Sequence, residues 1–440
     1  MRKISLALLV LITAGCFTAC GQIFNKSRLD SLLNALEQNN KGMGTLVLSK
    51  DGKVIYQKST GYESVVQGVK ASAVTRYRIG SITKMFTAVI VFQLIEEGKL
   101  SLDTRLSEYY PQVPNADKIT IRLMLNHRSG LHNFTDSAYT TYYTQPKTHE
   151  QLVQIFATQT PDFEPDAKAS YSNTNFVLLG YIAEKITGKK YSWLLKSRIT
   201  DKIGLKDTYY GGKVDLKVHE AASYRYAGGW QEEAQTDMSI PGGAGAIVST
   251  PVALTKFIEA LFAGKLVSLK SLEVMKTLKD NYGSAMFRYN FDNKLGYGHN
   301  GGIDEFKSTL SYFPEEKLTI AYCSNGMNYN MNNIVLGALS IYFGKPFQIP
   351  SFKIIEVSAE ELSKYVGNYV SDQLPLKISI TQKEGVLTAQ ATGQSAFPLD
   401  AADKDKFTFE PAGIVMEFAP EKGEMTLKQN GRSFLYIKEK

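Results

Sequence analysis

Apolar positions recur with helical spacing from Arg28 to Asn39. Leu29, Leu32, Leu33 and Leu36 share one stripe there, and Ser27 is placed to cap it. Alternation takes over from Gly44 to Lys58. Thr45 to Leu48 and Val54 to Tyr56 flank the turn residues Lys50, Asp51, Gly52 and Lys53, which predicts a hairpin. Helices are expected from Ser81 to Glu97, closed by Gly98, and from Thr174 to Thr187, closed by Gly188. Thr250 and Pro251 open a third that runs to about Phe262. Strands are expected around Met286–Phe291, Ser308–Phe313 and Leu318–Cys323, the first two flanking a glycine-rich turn. A helix from about Asn333 to Phe343 follows.

Residues 346–358 hold Pro346 and Pro350 and show little periodicity, so they read as a linker. Beyond them the texture changes. Short alternating runs recur at 376–380, 386–390, 407–409, 415–418, 425–427 and 434–437, punctuated by Gly385, Gly413, Gly423 and Gly431. Such spacing predicts a small all-β meander or barrel over 359–440. The expected whole is an α+β domain over 27–345, then this β domain.

The N-terminus breaks the pattern. Arg2 and Lys3 precede the apolar run Ile4–Ala14, which is too short for a membrane span. Small residues and Cys16 and Cys20 follow. The segment 1–20 resembles a bacterial lipoprotein signal, in which the lipidated Cys becomes the first residue. Gly21 favours Cys20 over Cys16, and an ordinary cleaved signal peptide is the plainer alternative. Export and a lipid anchor on a membrane are therefore expected. Only Cys323 remains of 3 cysteines, so no disulfide framework can form; in its apolar run it reads as a buried strand residue. The net charge of +7 is spread with no basic run longer than a pair, which argues against nucleic acid as a partner.

The helix from Ser81 is apolar on nearly every side, yet Lys84 lies near its start. A buried ammonium is costly unless paired or neutral. Ser81 and Lys84 are one turn apart on the same face and could form a nucleophile and base. The same spacing suits a capping serine and a lysine that snorkels to solvent. Tyr171 and Asn173 stand just before the helix at Thr174. A tyrosine beside a cation could have its phenol pKa lowered and act as acid and base, and the asparagine could orient lysine and substrate. A turn with a capping asparagine is the alternative. The third element is His299-Asn300-Gly301-Gly302. Glycines there would let an acyl substrate approach the backbone, with the N–H groups of Gly302 and Ser81 forming an oxyanion hole; a simple hairpin turn is the alternative. His127 and His132 lack the spacing of a helical zinc pair, no metal or cofactor motif appears, and His127 reads as structural. Gly-x-Ser-x-Gly is absent. Pro241–Gly245 reads as a tight turn lining the cleft.

Together these elements resemble the active-site motifs of the serine β-lactamase and penicillin-binding-protein superfamily, in the family's order. Tyr77–Ser81, Leu123–Leu131 and Tyr171–Gly180 are similar to the family's surrounding segments, and the likeness runs from about Arg28 to Phe343. The Tyr-x-Asn form points to the branch with class C β-lactamases, D,D-peptidases, D-aminopeptidases and esterases. A β-lactamase/transpeptidase-like antiparallel sheet flanked by helices is thereby implied, and the tail resembles an appended lipocalin-like domain. The resemblance makes Ser81 the acylated nucleophile and Lys84 its proton acceptor. Tyr171 becomes the proton shuttle and Asn173 the holder of the acyl amide. It departs at the third motif, where better-known members have Lys-Thr-Gly and this chain has His299-Asn300-Gly301. A mostly neutral imidazole binds a substrate carboxylate less well than a lysine. An ester or peptide-like amide is therefore the expected substrate. Alternatives are a slow-turnover penicillin-binding sensor and a non-catalytic scaffold.

Overall fold

A computed structural model describes residues 24–383, 385–429 and 432–439. The signal segment and both candidate lipidation cysteines lie outside these residues. Among the described residues, no helix is long and apolar enough to cross a membrane.

Helix α1 (Lys26–Gln38) carries the predicted leucine stripe, all four leucines buried, but its cap is Asn25 rather than Ser27. The predicted hairpin is β1 (Gly42–Lys50) and β2 (Lys53–Thr60). Helix α2 (Thr83–Glu96) is buried from Thr83 through Leu94, as its mostly apolar surface requires. Helices α3 (Asn173–Thr187), α4 (Pro251–Phe262) and, later, α5 (Met331–Tyr342) fall near their expected places. Between α4 and α5 run β3 (Phe287–Phe291), β4 (Lys294–Ile303), β5 (Phe306–Phe313) and β6 (Leu318–Met327). The strands pair antiparallel in the order β3-β4-β5-β6-β1-β2.

Strand β4 corrects the sequence reading. Residues expected as a glycine-rich turn form a ten-residue strand. Glycine has little β propensity, but Gly298 and Gly301 face atoms too near to admit a side chain. Side chains of β6 alternate between two cores. Leu318, Ile320 and Tyr322 face α1 and α5, while Ala321 and Cys323 join the larger core around α2, α3 and α4. Cys323 is buried, as expected.

The C-terminal runs close into an eight-stranded barrel: β7 (Gly367–Val370), β8 (Ile378–Lys383), β9 (Val386–Ala391), β10 (Phe397–Asp403), β11 (Lys406–Phe409), β12 (Ile414–Ala419), β13 (Glu424–Gln429) and β14 (Arg432–Lys438). Two of these, β7 and β10, escape the alternation pattern. The first has four residues; the second contains Pro398, Asp400 and Asp403. Residues 346–358 form no helix or strand but are not a bare tether. Phe347, Ile349 and Phe352 pack on the α1–α5 core, and Ile355 and Val357 on the barrel core.

Candidate active site

Ser81 lies in one 3-10 turn, Gly80–Ile82, immediately before α2. That turn is pressed against β4. A Cβ on Gly301 would meet the Ile79 carbonyl oxygen at 2.0 Å. One on Gly80, whose φ is +49°, would meet the Gly302 nitrogen at 2.7 Å. Glycine at both positions permits the approach. Ser308 Oγ donates to the Ile79 carbonyl oxygen at 2.8 Å and fastens the turn to β5.

Lys84 is fully buried and does not snorkel. Its Nζ lies 2.8 Å from Ser81 Oγ, 2.7 Å from Asn173 Oδ1 and 2.9 Å from the Ala244 carbonyl oxygen. Burial drives its pKa well below the ordinary lysine value. A neutral amine has two N–H groups and one lone pair. Asn173 Oδ1 and the Ala244 carbonyl only accept, so they take both N–H groups. The lone pair is left for the Ser81 hydroxyl proton.

Tyr171 Oη donates to Ser81 Oγ at 2.7 Å. Its phenol pKa is raised by burial, which corrects the expectation of a lowered one. The expected cation beside it is the amine of Lys84, itself held neutral, so desolvation outweighs the opposing hydrogen bond to Ser81. Asn173, the first residue of α3, is held by the preceding loop: its backbone N–H and Nδ2 donate to Asn133 Oδ1 at 2.9 and 3.1 Å. Nδ2 also donates to Thr135 Oγ1 at 3.1 Å. His127 stacks on the Tyr171 ring at 4.4 Å, and its Nδ1 accepts the Ser172 N–H at 3.1 Å. Burial keeps this imidazole neutral.

In front of Ser81 opens a cleft of about 540 Å³, lined in part by Phe134, Tyr139, Tyr143, Asn173, Thr236, Gly302 and Asp304. Pro241, Ala244 and Gly245 also line it, as expected, though Gly242–Gly245 form a helical turn. Asp304 is the only charged residue among the described lining residues. It pairs with buried Arg78 at 2.9 Å and accepts from the Thr236 N–H and Oγ1 at 3.0 and 2.6 Å. His299, Asn300 and Gly301 do not line the cleft. Gly301 faces the Ile79 carbonyl. His299 is buried with its ring 4.7 Å from Phe287 and 6.3 Å from Tyr171. Its Nδ1 contacts the Asn300 carbonyl, and burial pushes its pKa down to about 3.

Residues 29–339 match the family described as Beta-lactamase. The chain belongs to the β-lactamase family. It is 24% identical over 424 residues to penicillin-binding protein 4* of Bacillus subtilis (strain 168), covering 89% of this chain and 93% of the relative. Teichoic acid D-alanine hydrolase of Staphylococcus aureus (strain MRSA252) is 25% identical over 294 residues, 66% of this chain and 71% of that one. Of solved structures, D-amino acid amidase from Ochrobactrum anthropi SV3 complexed with D-phenylalanine aligns with a TM-score of 0.65 at 25% identity, over 72% of this chain and 99% of its own. An octameric penicillin-binding protein homologue from Pyrococcus abyssi shares the fold over 93% of this chain and 99% of its own, with a TM-score of 0.66 at 24% identity.

Four side chains singled out in this β-lactamase-family sequence, Ser81, Lys84, Tyr171 and Asn173, therefore meet within hydrogen-bond distance. Asn133, Thr135, Asp304 and the Ala244 carbonyl were missed. They lie on loops or act through the backbone, and no residue pattern advertises them. Arg78 lies within the segment Tyr77–Ser81, but its buried partner Asp304 is 226 residues away.

Proposed function

We propose that the protein is an exported serine hydrolase that transfers an acyl group from a D-aminoacyl ester or amide to Ser81 and then to water. The observation that carries this reading is the surroundings of Lys84 Nζ, two pure acceptors and one hydroxyl around a neutral amine. The lone pair takes the Ser81 proton as Oγ bonds to the substrate carbonyl carbon. The N–H groups of Ser81 and Gly302 receive the developing oxyanion. The tetrahedral intermediate collapses as the C–O or C–N bond breaks. Tyr171 gives its proton to the leaving group and is refilled from the Lys84 ammonium. Water then attacks the ester on Ser81, the same groups take its proton, and the acid leaves with Ser81 restored.

The cleft supports the substrate class. A carboxylate beside the scissile bond would find no cation among the described lining residues, and His299 is neutral and buried behind Tyr171. A small substrate with no carboxylate suits this wall better, and the D-amino acid substrates named for two relatives support a D-aminoacyl group. The test is a panel of D-alanyl esters, D-amino acid amides and nitrocefin with wild type and Ser81→Ala. Serine-dependent turnover of the first two, well above that of nitrocefin, is expected. Nitrocefin as the best substrate would overturn the substrate class, and turnover surviving in Ser81→Ala would overturn the mechanism.

A further inference from the structure

The stretch from Phe134 to Tyr143 supplies one wall of the cleft through Phe134, Thr135, Tyr139, Thr140 and Tyr143. Its far end is tied by the Asp237 N–H, which donates to the Tyr143 carbonyl at 2.8 Å, and by Tyr139 Oη against Thr236 Oγ1 at 3.2 Å. Its near end is tied to α3 by the Phe134 N–H, which donates to Thr174 Oγ1 at 3.3 Å, and by Thr135 Oγ1, which accepts from Asn173 Nδ2 at 3.1 Å; the turn that follows is held by the His132 ring. That imidazole stands between two carboxylates, with Nδ1 2.7 Å from Asp162 Oδ1 and Nε2 3.2 Å from Asp136 Oδ2. Asp162 follows the helix His149–Thr158, and its N–H donates to the Gly130 carbonyl at 2.9 Å. Asp136 caps the turn Ser137–Thr141, its Oδ1 accepting from the N–H groups of Ala138 and Tyr139 at 2.9 and 3.3 Å. These two carboxylates are the charged groups facing the ring.

A neutral imidazole has one N–H and can satisfy only one of them; its other nitrogen would turn a lone pair toward a carboxylate oxygen. Both contacts are attractive only when the ring is an imidazolium. We propose that His132 is a positioning residue that, as an imidazolium, clamps Asp136 to Asp162 and holds the aromatic wall of the cleft in its substrate-binding shape. This rests on the cleft before Ser81 being the substrate site. Asp162 and Asp136 raise the pKa of His132, the bond to Asp162 foremost. With a raised folded-state value, the clamp is complete below the ordinary imidazole pKa and is lost as pH climbs through the raised one. On deprotonation the shorter contact to Asp162 persists and the contact to Asp136 turns repulsive, which loosens the capped turn under Tyr139. The His132 carbonyl still accepts from Ser172 Oγ and Thr174 Oγ1, at 3.2 and 2.7 Å, so the ground under Asn173 stays put. KM should therefore move while kcat does not follow it.

The test uses p-nitrophenyl acetate, which does not itself titrate, with Ser81→Ala as the blank. Exposed pairs couple weakly, so wild-type KM should rise roughly two- to fivefold from about pH 6 to about pH 9. His132→Gln should show the high KM at every pH. His132→Arg, a permanent cation that can span both carboxylates, should show the low one. The His132 Cε1–H resonance, identified by its loss in His132→Gln, should titrate above the ordinary histidine value. A wild-type KM that does not change with pH, an unchanged slope in His132→Gln, a His132→Arg KM as high as that of His132→Gln, or a His132 resonance titrating normally overturns the clamp. Activity equal to the Ser81→Ala blank would instead overturn the underlying hydrolase reading, a result the NMR titration distinguishes because it does not depend on turnover.

Discussion

Fully buried Lys84 places its Nζ 2.8 Å from Ser81 Oγ. On a helix that is apolar on nearly every side, its amine is held by two acceptors and a hydroxyl. Lys84→Met should keep the fold and abolish labelling of Ser81 by a fluorophosphonate at neutral pH; undiminished labelling would remove Lys84 as the base. Linkage gives a second readout. The folded-state pKa of Lys84 is depressed, so unfolding takes up a proton at any pH between the folded and unfolded values. Wild-type stability should therefore gain on that of Lys84→Met as pH rises from about 7 to about 9, by up to about 1.4 kcal/mol per pH unit. Parallel denaturation midpoints across that range would contradict the neutral amine. Tyr171→Phe removes the proton donor to Ser81 and should lower kcat by roughly 10²- to 10⁴-fold with little change in KM.

At the scale of elements, legibility followed amphipathic contrast. Helices α1 to α5 and the first hairpin were readable because one-sided or wholly apolar surfaces repeat over many residues. Strand β4 was not, since its glycines serve close contact rather than propensity, and β10 hides behind a proline and two aspartates. The same cause hid part of the site: the groups holding Lys84 and Asn173 are carbonyls and loop side chains, whose role is set by tertiary approach. Gly301 makes this testable. Gly301→Ala would drive a methyl into the Ile79 carbonyl and Ser308 Oγ and push the Ser81 turn off β4. A loss of about 1–3 kcal/mol in stability, with slower Ser81 labelling, is expected by urea unfolding and probe kinetics. Wild-type behaviour would show that the close approach is not needed.

For the whole molecule, the division between the two bodies is refined by where the apolar residues of 346–358 settle. Phe347, Ile349 and Phe352 belong to the first core and Ile355 and Val357 to the barrel. We propose that each folds alone, with the cut after Lys353. A chain ending there should stay soluble and keep a reactive Ser81, whereas aggregation or loss of labelling would show that the barrel completes the first domain. Lipid anchoring at Cys20 is likewise a proposal: Cys20→Ala should move the protein from the membrane to the soluble fraction, and unchanged fractionation would point to Cys16 or to no anchor. Acyl transfer through Ser81 is tested by rapid-quench mass spectrometry during turnover of a D-alanyl ester. A D-alanyl adduct is expected on the peptide carrying Ser81, disappearing as substrate is exhausted; Ser81→Ala should carry no adduct and show no turnover. Steady turnover without that adduct, undiminished in Ser81→Ala, would contradict acyl transfer through Ser81.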